Sequence, residues 1–502
     1  MDRNPAGGGI EKAAVRFFGV LLCAAVAVPA LPRLGAIGGA VALLLGAGAA
    51  WLVWRWVPEA VSGARGRRPV VAALWALGAL FALLQVGRLS AFMAEPGRTW
   101  GSLVPDPVVT DHACLSAYVV AADLSRRGTP NLYEERFYPA FAGDAAKLLA
   151  PGNVRNLGKW MEDPFEYPPP FLLFPRAALF LTDDFLTIRA GWFVLQALGL
   201  VVVAAWLARW IGGRDGQLAF LLIPVLLASL PTMLGLQFGQ FHVATLLLAI
   251  AAMICFEERH PAVGGGLLAV AIVSKLSPAF LLVYLLARRR WRELAWTLGA
   301  CVVFAALGLA FLGGAPFEAF LGYQLPRIQS GEAFSFYEDK EIVVSRNLGI
   351  PGLVTKLHFL GAPGMTHALG AVLGWIFTLL LFWLAWTSGR RAEDRLGQAR
   401  IWLALLTLGA FRSPLAPPYV TLSTLWLLTL LAGEIRGRRS WAVGFVVAWL
   451  VIMGPPPLTG APEFIVSFLG QLVGLTVCIW ALLGPRPTPS ESEASVPAIA
   501  AG

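Results

Sequence analysis

Apolar runs of membrane-spanning length follow one another along this chain, and polar residues gather between them in two long intervals and several short ones. A spanning helix takes about 20 predominantly apolar residues, fewer where the helix breaks or neighbours thin the bilayer. On that criterion spans are predicted near residues 12–31, 35–56, 70–94, 168–183, 187–210, 217–235, 238–256, 262–287, 293–313, 367–388, 399–412, 415–433, 440–457 and 463–484. Several are short enough to be half-helices or re-entrant segments, which gives twelve to fourteen spans. The predicted fold class is an all-α polytopic membrane protein, with an integral membrane domain over 1–484 and long loops at 95–167 and 314–366. Residues 485–502, rich in Pro, Ser, Glu and Ala, are predicted to be a disordered tail.

The loops carry helical signals of their own. From Asp111, the stretch DHACLSAYVVAADLSRRG sets Leu115, Tyr118, Val119, Ala122 and Leu124 at amphipathic-helix spacing, with Gly128 as a stop. Thr110 or Asp111 would cap that helix, and a carboxylate there would sit at the positive end of its dipole. The apolar run at 13–30 is followed within a few residues by another, so it reads as a retained first span rather than a cleaved signal peptide. No internal repeat suggests the inverted halves of a transporter.

Composition agrees with this picture: 57% of the 502 residues are hydrophobic and 14% charged, with a mean hydropathy of +0.69, far from a soluble domain. A net charge of +9 would suggest a nucleic-acid partner in a soluble protein. Here, however, the arginines cluster in short loops, at Arg55 with Arg65, Arg67 and Arg68; Arg288 to Arg290 with Arg292; Arg390, Arg391 and Arg395; and Arg436, Arg438 and Arg439. All four clusters and both termini fall on one side of the predicted spans, which is therefore cytoplasmic, and no nucleic acid is expected. Both long loops then face the extracytoplasmic side of a multi-pass protein of the plasma or inner membrane. Cys23, Cys114, Cys255, Cys301 and Cys478 have neither disulfide nor metal-ligand spacing, no compact carboxylate pair is visible, and no metal is expected.

An ionisable residue at membrane depth is costly and marks a site. Lys275 in AIVSKLSP lies midway along an apolar run ahead of the helix-disturbing Pro278. It would serve as a cation for a phosphate, or as a lysine snorkelling to the interface. Arg412 in FRSPLAPPY ends a run on the side where positive charge has no topological role. Its planar fork suits phosphate or carboxylate, or anchors lipid headgroups. Gln237 and Gln240 in LQFGQFH fit interhelical fasteners as well as ligands, and His242 fits packing. Asp111 is either a helix cap or a general base. Tyr167 to Pro170 form a stiff entry to the next span. The other loop carboxylates read as solvated charge, except Glu166 beside that entry.

In this order the pieces resemble the integral membrane glycosyltransferases of family 87, of GT-C architecture. The landmarks are Asp111 with Tyr118 and Ala121-Ala122, the Gly128 to Tyr133 turn, Tyr167-Pro168-Pro169, Gly239-Gln240, Lys275 with Pro278 and the arginines that follow, Asn347, and Ser413-Pro414 to Tyr419. The resemblance spans roughly 105–435. It implies a GT-C-like helix bundle whose extracytoplasmic loops carry short helices. It also implies transfer of a hexose, typically mannose, from a polyprenyl-phosphate sugar to a glycolipid or glycan acceptor, with no cofactor beyond that donor. By matching position Asp111 would be the base. Lys275, Arg412 and Arg346 would face the lipid phosphate, and Asn347, Gln240, Tyr167, Glu166, Tyr419 and His242 would contribute to substrate binding. The chain departs from the family pattern at Tyr419, where members often have His, at His242, where Asn often follows the GQ, and at Leu348-Gly349, where Gln-Ser often follows the Asn. Donor and acceptor identity are left open by these departures. The competing class is a lipid or polysaccharide transporter or flippase, which would place charges accessible from both faces rather than on one side and at mid-depth.

Overall fold

The computed structural model describes residues 12–58, 69–103, 107–138, 154–157, 160, 163–338, 340–391, 393–433, 439–453 and 460–484. Arg65, Arg67, Arg68, Arg436, Arg438, Asp106, Asp144, Glu162, residues 454–457 and the 485–502 tail lie outside them. Among the described residues the regular structure is helical, apart from isolated bridge positions such as that between Arg155 and Asp184.

Each predicted span holds helix. Six stretches are long and apolar enough to cross a membrane among the described residues: Lys12–Trp56, Ala72–Ala94, Phe185–Ile211, Trp291–Leu312, His367–Gly389 and Ala461–Leu483. The first contains two helices, Lys12–Ala27 and Leu31–Trp56, packed against each other. Gly213–Ala228 and Leu230–Gln237, bent by 58°, make a seventh if taken together. The remaining predicted spans are shorter apolar helices, among them Phe241–Glu257, Pro261–Ser274, Ser277–Ala287 and Pro418–Leu431.

The breaks have local causes. At Ser229 the backbone is extended (φ −72°, ψ 145°), Pro231 follows, and the Ser229 and Thr232 hydroxyls both donate to the Leu226 carbonyl at 2.7 Å. At Lys275 the chain is again extended (φ −147°, ψ 129°) before Pro278 restarts it in a short 3₁₀ turn. A proline lacks the N–H that would continue the ladder, so in hydrocarbon such a break persists only where protein or a wet cavity takes over the freed groups.

Phe241–Glu257, Arg395–Phe411 and Leu422–Leu431 are buried nearly throughout and form the centre, where Thr407 donates to Ser423 at 2.7 Å. Trp291–Leu312 and His367–Gly389 instead expose Val302, Phe311, Leu379 and Trp383, the pattern of lipid-facing helices. In the first long loop, Cys114–Arg126 packs on Leu173–Leu181. This helix starts later than expected. Its N-cap is Ala113, extended at φ −148° and ψ 102°, with no side-chain cap, and Leu115 N–H donates to the Phe238 carbonyl at 3.2 Å. Asp111 is therefore not the cap, because a first-turn N–H finds its acceptor on another segment.

The second loop is tied to the last helix. Arg346 Nε meets Glu463 Oε1 at 2.9 Å, and fully buried Lys356 donates to Ser467 Oγ at 2.8 Å. Burial lowers the Lys356 pKa to about 7, against the pull of Glu463. The unfolded chain thus binds the extra proton between about pH 7 and the ordinary lysine value of 10.5, and stability rises with pH through that window. Lys356→Met is expected to raise the unfolding temperature at pH 7 and to flatten this slope, as read from thermal unfolding in detergent at pH 7 and pH 9.

Candidate active site

The helix break at Lys275, the entry turn at Tyr167, the Gly239-Gln240 turn and the turn after Arg412 converge on one cavity of about 460 Å³. Seven residues singled out in the sequence line it: Lys275, Arg412, Glu166, Tyr167, Gln240, His242 and Tyr419. Asp111, Arg346 and Asn347 do not. Asp111 is half-buried ahead of the Cys114–Arg126 helix, and Arg346 is paired with Glu463. Asn347 spends its amide on the backbone: Oδ1 accepts from Gly349 and Ala416 N–H, each at 2.9 Å, and Nδ2 donates to the Pro414 carbonyl at 2.7 Å. It fastens the second loop to the Ser413-Pro414 turn that carries Arg412. Gln237 fastens too, accepting from Leu103 N–H at 3.0 Å and donating to the Val109 carbonyl at 2.9 Å.

Gln240 is the hub of one wall. Its Oε1 accepts from Tyr118 at 2.5 Å and Tyr167 at 2.8 Å, and its Nε2 donates to Tyr419 at 2.8 Å. Burial holds the Tyr118 and Tyr167 hydroxyls well above the usual phenol range, so both remain donors. The turn that presents Gln240 needs glycine at 239, where φ is +64° and a Cβ would stand 2.9 Å from the Leu115 Cβ. Gln240→Leu leaves buried hydroxyls without their partner. It is expected to cost about 2–4 kcal/mol and to lower the unfolding temperature measurably.

The opposite charges in the cavity come from different segments. Lys275 Nζ lies 5.6 Å over the Tyr167 ring. Arg412 Nε donates to Thr378 Oγ1 at 3.0 Å, which fixes one edge of its guanidinium. Asp163 and Glu166 come from the segment leading to Pro168, with Phe165 between them fully buried. Burial and the Asp163 charge raise the Glu166 carboxyl well above its usual range, against the opposing pull of Lys275 and Arg327. Burial also acts upward on Asp163, but the charge and hydrogen bond of His112, with a further bond from Cys114, outweigh it and hold that carboxyl below its usual range. Sequence reasoning treated Asp163 as solvated and passed over Cys114 and His112. The available signal was the three-residue spacing from Asp163 to Glu166 across a proline, which lets one stretch present both carboxyls.

The arrangement suits a phosphate held by two cations, a carboxyl able to take a proton, and a polar wall that orients hydroxyls. Residues 165–418 of the chain match the sequence profile of Glycosyltransferase family 87. A curated relative in Mycolicibacterium smegmatis, the polyprenol-phosphate-mannose-dependent alpha-(1-2)-phosphatidylinositol mannoside mannosyltransferase, is 26% identical over 368 residues, 67% of this chain and 78% of that protein. No solved structure matches.

Proposed function

The chain belongs to glycosyltransferase family 87, and from that premise we propose that it moves a hexose, mannose first, from a polyprenyl-phosphate sugar to a lipid or glycan acceptor on the extracytoplasmic face. Membership sets aside the transporter reading. The donor follows the relative's name, and the face follows from the arginine clusters and the two long loops. The observation that carries the reading is that Lys275 and Arg412 line the same cavity as Glu166.

In this reading the donor phosphodiester lies against Lys275 and Arg412. The acceptor hydroxyl gives its proton to the Glu166 carboxylate and attacks the anomeric carbon. The carbon–oxygen bond to phosphate breaks, and the electron pair leaves with the polyprenyl phosphate, whose new charge the two cations stabilise. Glu166 is assigned as base in preference to Asp111, because it lines the cavity and burial raises its affinity for the proton it would take from the acceptor.

The test is incubation of the purified protein with polyprenyl-phosphate-mannose or polyprenyl-phosphate-glucose and candidate glycolipid acceptors, following sugar transfer in wild type, Glu166→Gln and Asp111→Asn. Loss in Glu166→Gln with retention in Asp111→Asn supports the assignment. The reverse pattern returns the base to Asp111, and absence of transfer from every polyprenyl-phosphate donor overturns the donor class.

A further inference from the structure

Three side chains of metal-ligand type meet at the cavity wall, and the glycosyl-transfer scheme uses none of them. His112 Nε2 stands 3.2 Å from Cys114 Sγ and 3.3 Å from Asp163 Oδ2, and the candidate ligand atoms of the three lie within 4.8 Å of one another. Cys114 is buried, and both Cys114 and Asp163 line the cavity. We propose that His112, Cys114 and Asp163 form a transition-metal site of zinc type at the wall of this cavity.

Two geometric facts favour a metal over the alternatives. In a nucleophilic Cys–His–Asp triad the thiol takes one ring nitrogen and the carboxylate orients the other. Here thiol and carboxylate both approach Nε2, as two ligands do around a shared ion. The distances also fit. Zinc bonds of about 2.3 Å to sulfur and about 2.0–2.2 Å to nitrogen and oxygen, at tetrahedral angles, place sulfur and nitrogen about 3.6 Å apart and nitrogen and oxygen about 3.4 Å apart. The observed pairs are within a few tenths of an ångström of those spacings.

The donor set decides the class of ion. One thiolate, one imidazole and one carboxylate suit zinc or its neighbours and do not suit magnesium or calcium, which take oxygen ligands. Thiolate and carboxylate together neutralise a dication, so nearby Lys275 keeps its own charge for a phosphate. Three protein ligands leave the fourth tetrahedral position to the cavity, where a hydroxyl or phosphate oxygen could enter. Bound metal is read directly, whatever reaction the cavity carries out.

The experiment is elemental analysis of the full-length protein, purified with zinc present and washed free of loose ions, beside Cys114→Ser and Asp163→Asn, which keep side-chain size. About one zinc per wild-type chain, falling at least about tenfold in both variants at unchanged elution volume, is the expected result. Cobalt added to the zinc-free protein should give a sulfur-to-cobalt charge-transfer band that Cys114→Ser lacks. Absence of bound zinc and of that band in the wild type overturns the site, as does equal zinc in wild type and both variants. Should the variants fail to fold, the wild-type cobalt spectrum decides alone.

Discussion

Glu166→Gln is expected to lower kcat/KM for sugar transfer by about 10²–10⁴-fold, the range spanned by a positioned acid or base, with little change in unfolding temperature because the substitution keeps size and sits at a cavity wall. The wild-type pH profile gives a second readout. Burial lifts the Glu166 carboxyl above its ordinary range. The ionised form is the base, so activity is present above that raised pKa and is lost as pH falls through it. The acid limb should therefore lie above the ordinary glutamate value, and Glu166→Gln should lose the limb along with the rate. A variant that keeps the wild-type rate and limb would remove Glu166 from the mechanism.

Lys275→Met is expected to reduce kcat by about 10²–10³-fold, the effect of deleting one preorganised group opposite developing charge. The fold should tolerate it, since a methionine in an apolar span removes an intramembrane charge rather than adding one. Lys275→Arg retains the charge and should recover part of the rate. Steady-state kinetics against donor concentration would check this, with elution profile as the control for folding. Wild-type turnover in Lys275→Met would move the phosphate elsewhere in the cavity.

The helices were legible, though only six or seven of the predicted spans are long and apolar enough to cross a membrane among the described residues, because the bilayer imposes one rule on every segment: backbone groups must be paired within a helix, and side chains must be apolar. The break at Lys275 was legible for the same reason, since a lysine followed by a proline violates both habits at once. Loop residues obey no such rule. Asp111 sits where a helix signal begins, but the helix starts at Cys114 because Leu115 N–H is claimed by the distant Phe238 carbonyl. Arg346 and Asn347 share a segment, and their partners, Glu463 and the Pro414 and Ala416 backbone, lie about seventy residues or more away in sequence. Asp163 has the chemistry of any loop carboxylate until His112 and Cys114 are placed beside it.

The Pro261–Ser274 helix ends at Lys275 after only 14 residues. At about 1.5 Å per residue it covers about 21 Å, against roughly 30 Å of hydrocarbon in an ordinary bilayer, and helix resumes only beyond the extended break, in Ser277–Ala287. In a span made of these two pieces, the lysine falls within the apolar thickness and not at its edge. A polyprenyl-phosphate donor would then have to bring its headgroup below the interface to meet that charge, and the thicker the bilayer, the deeper the descent. Vesicles of progressively longer acyl chains should slow transfer without any change to the protein.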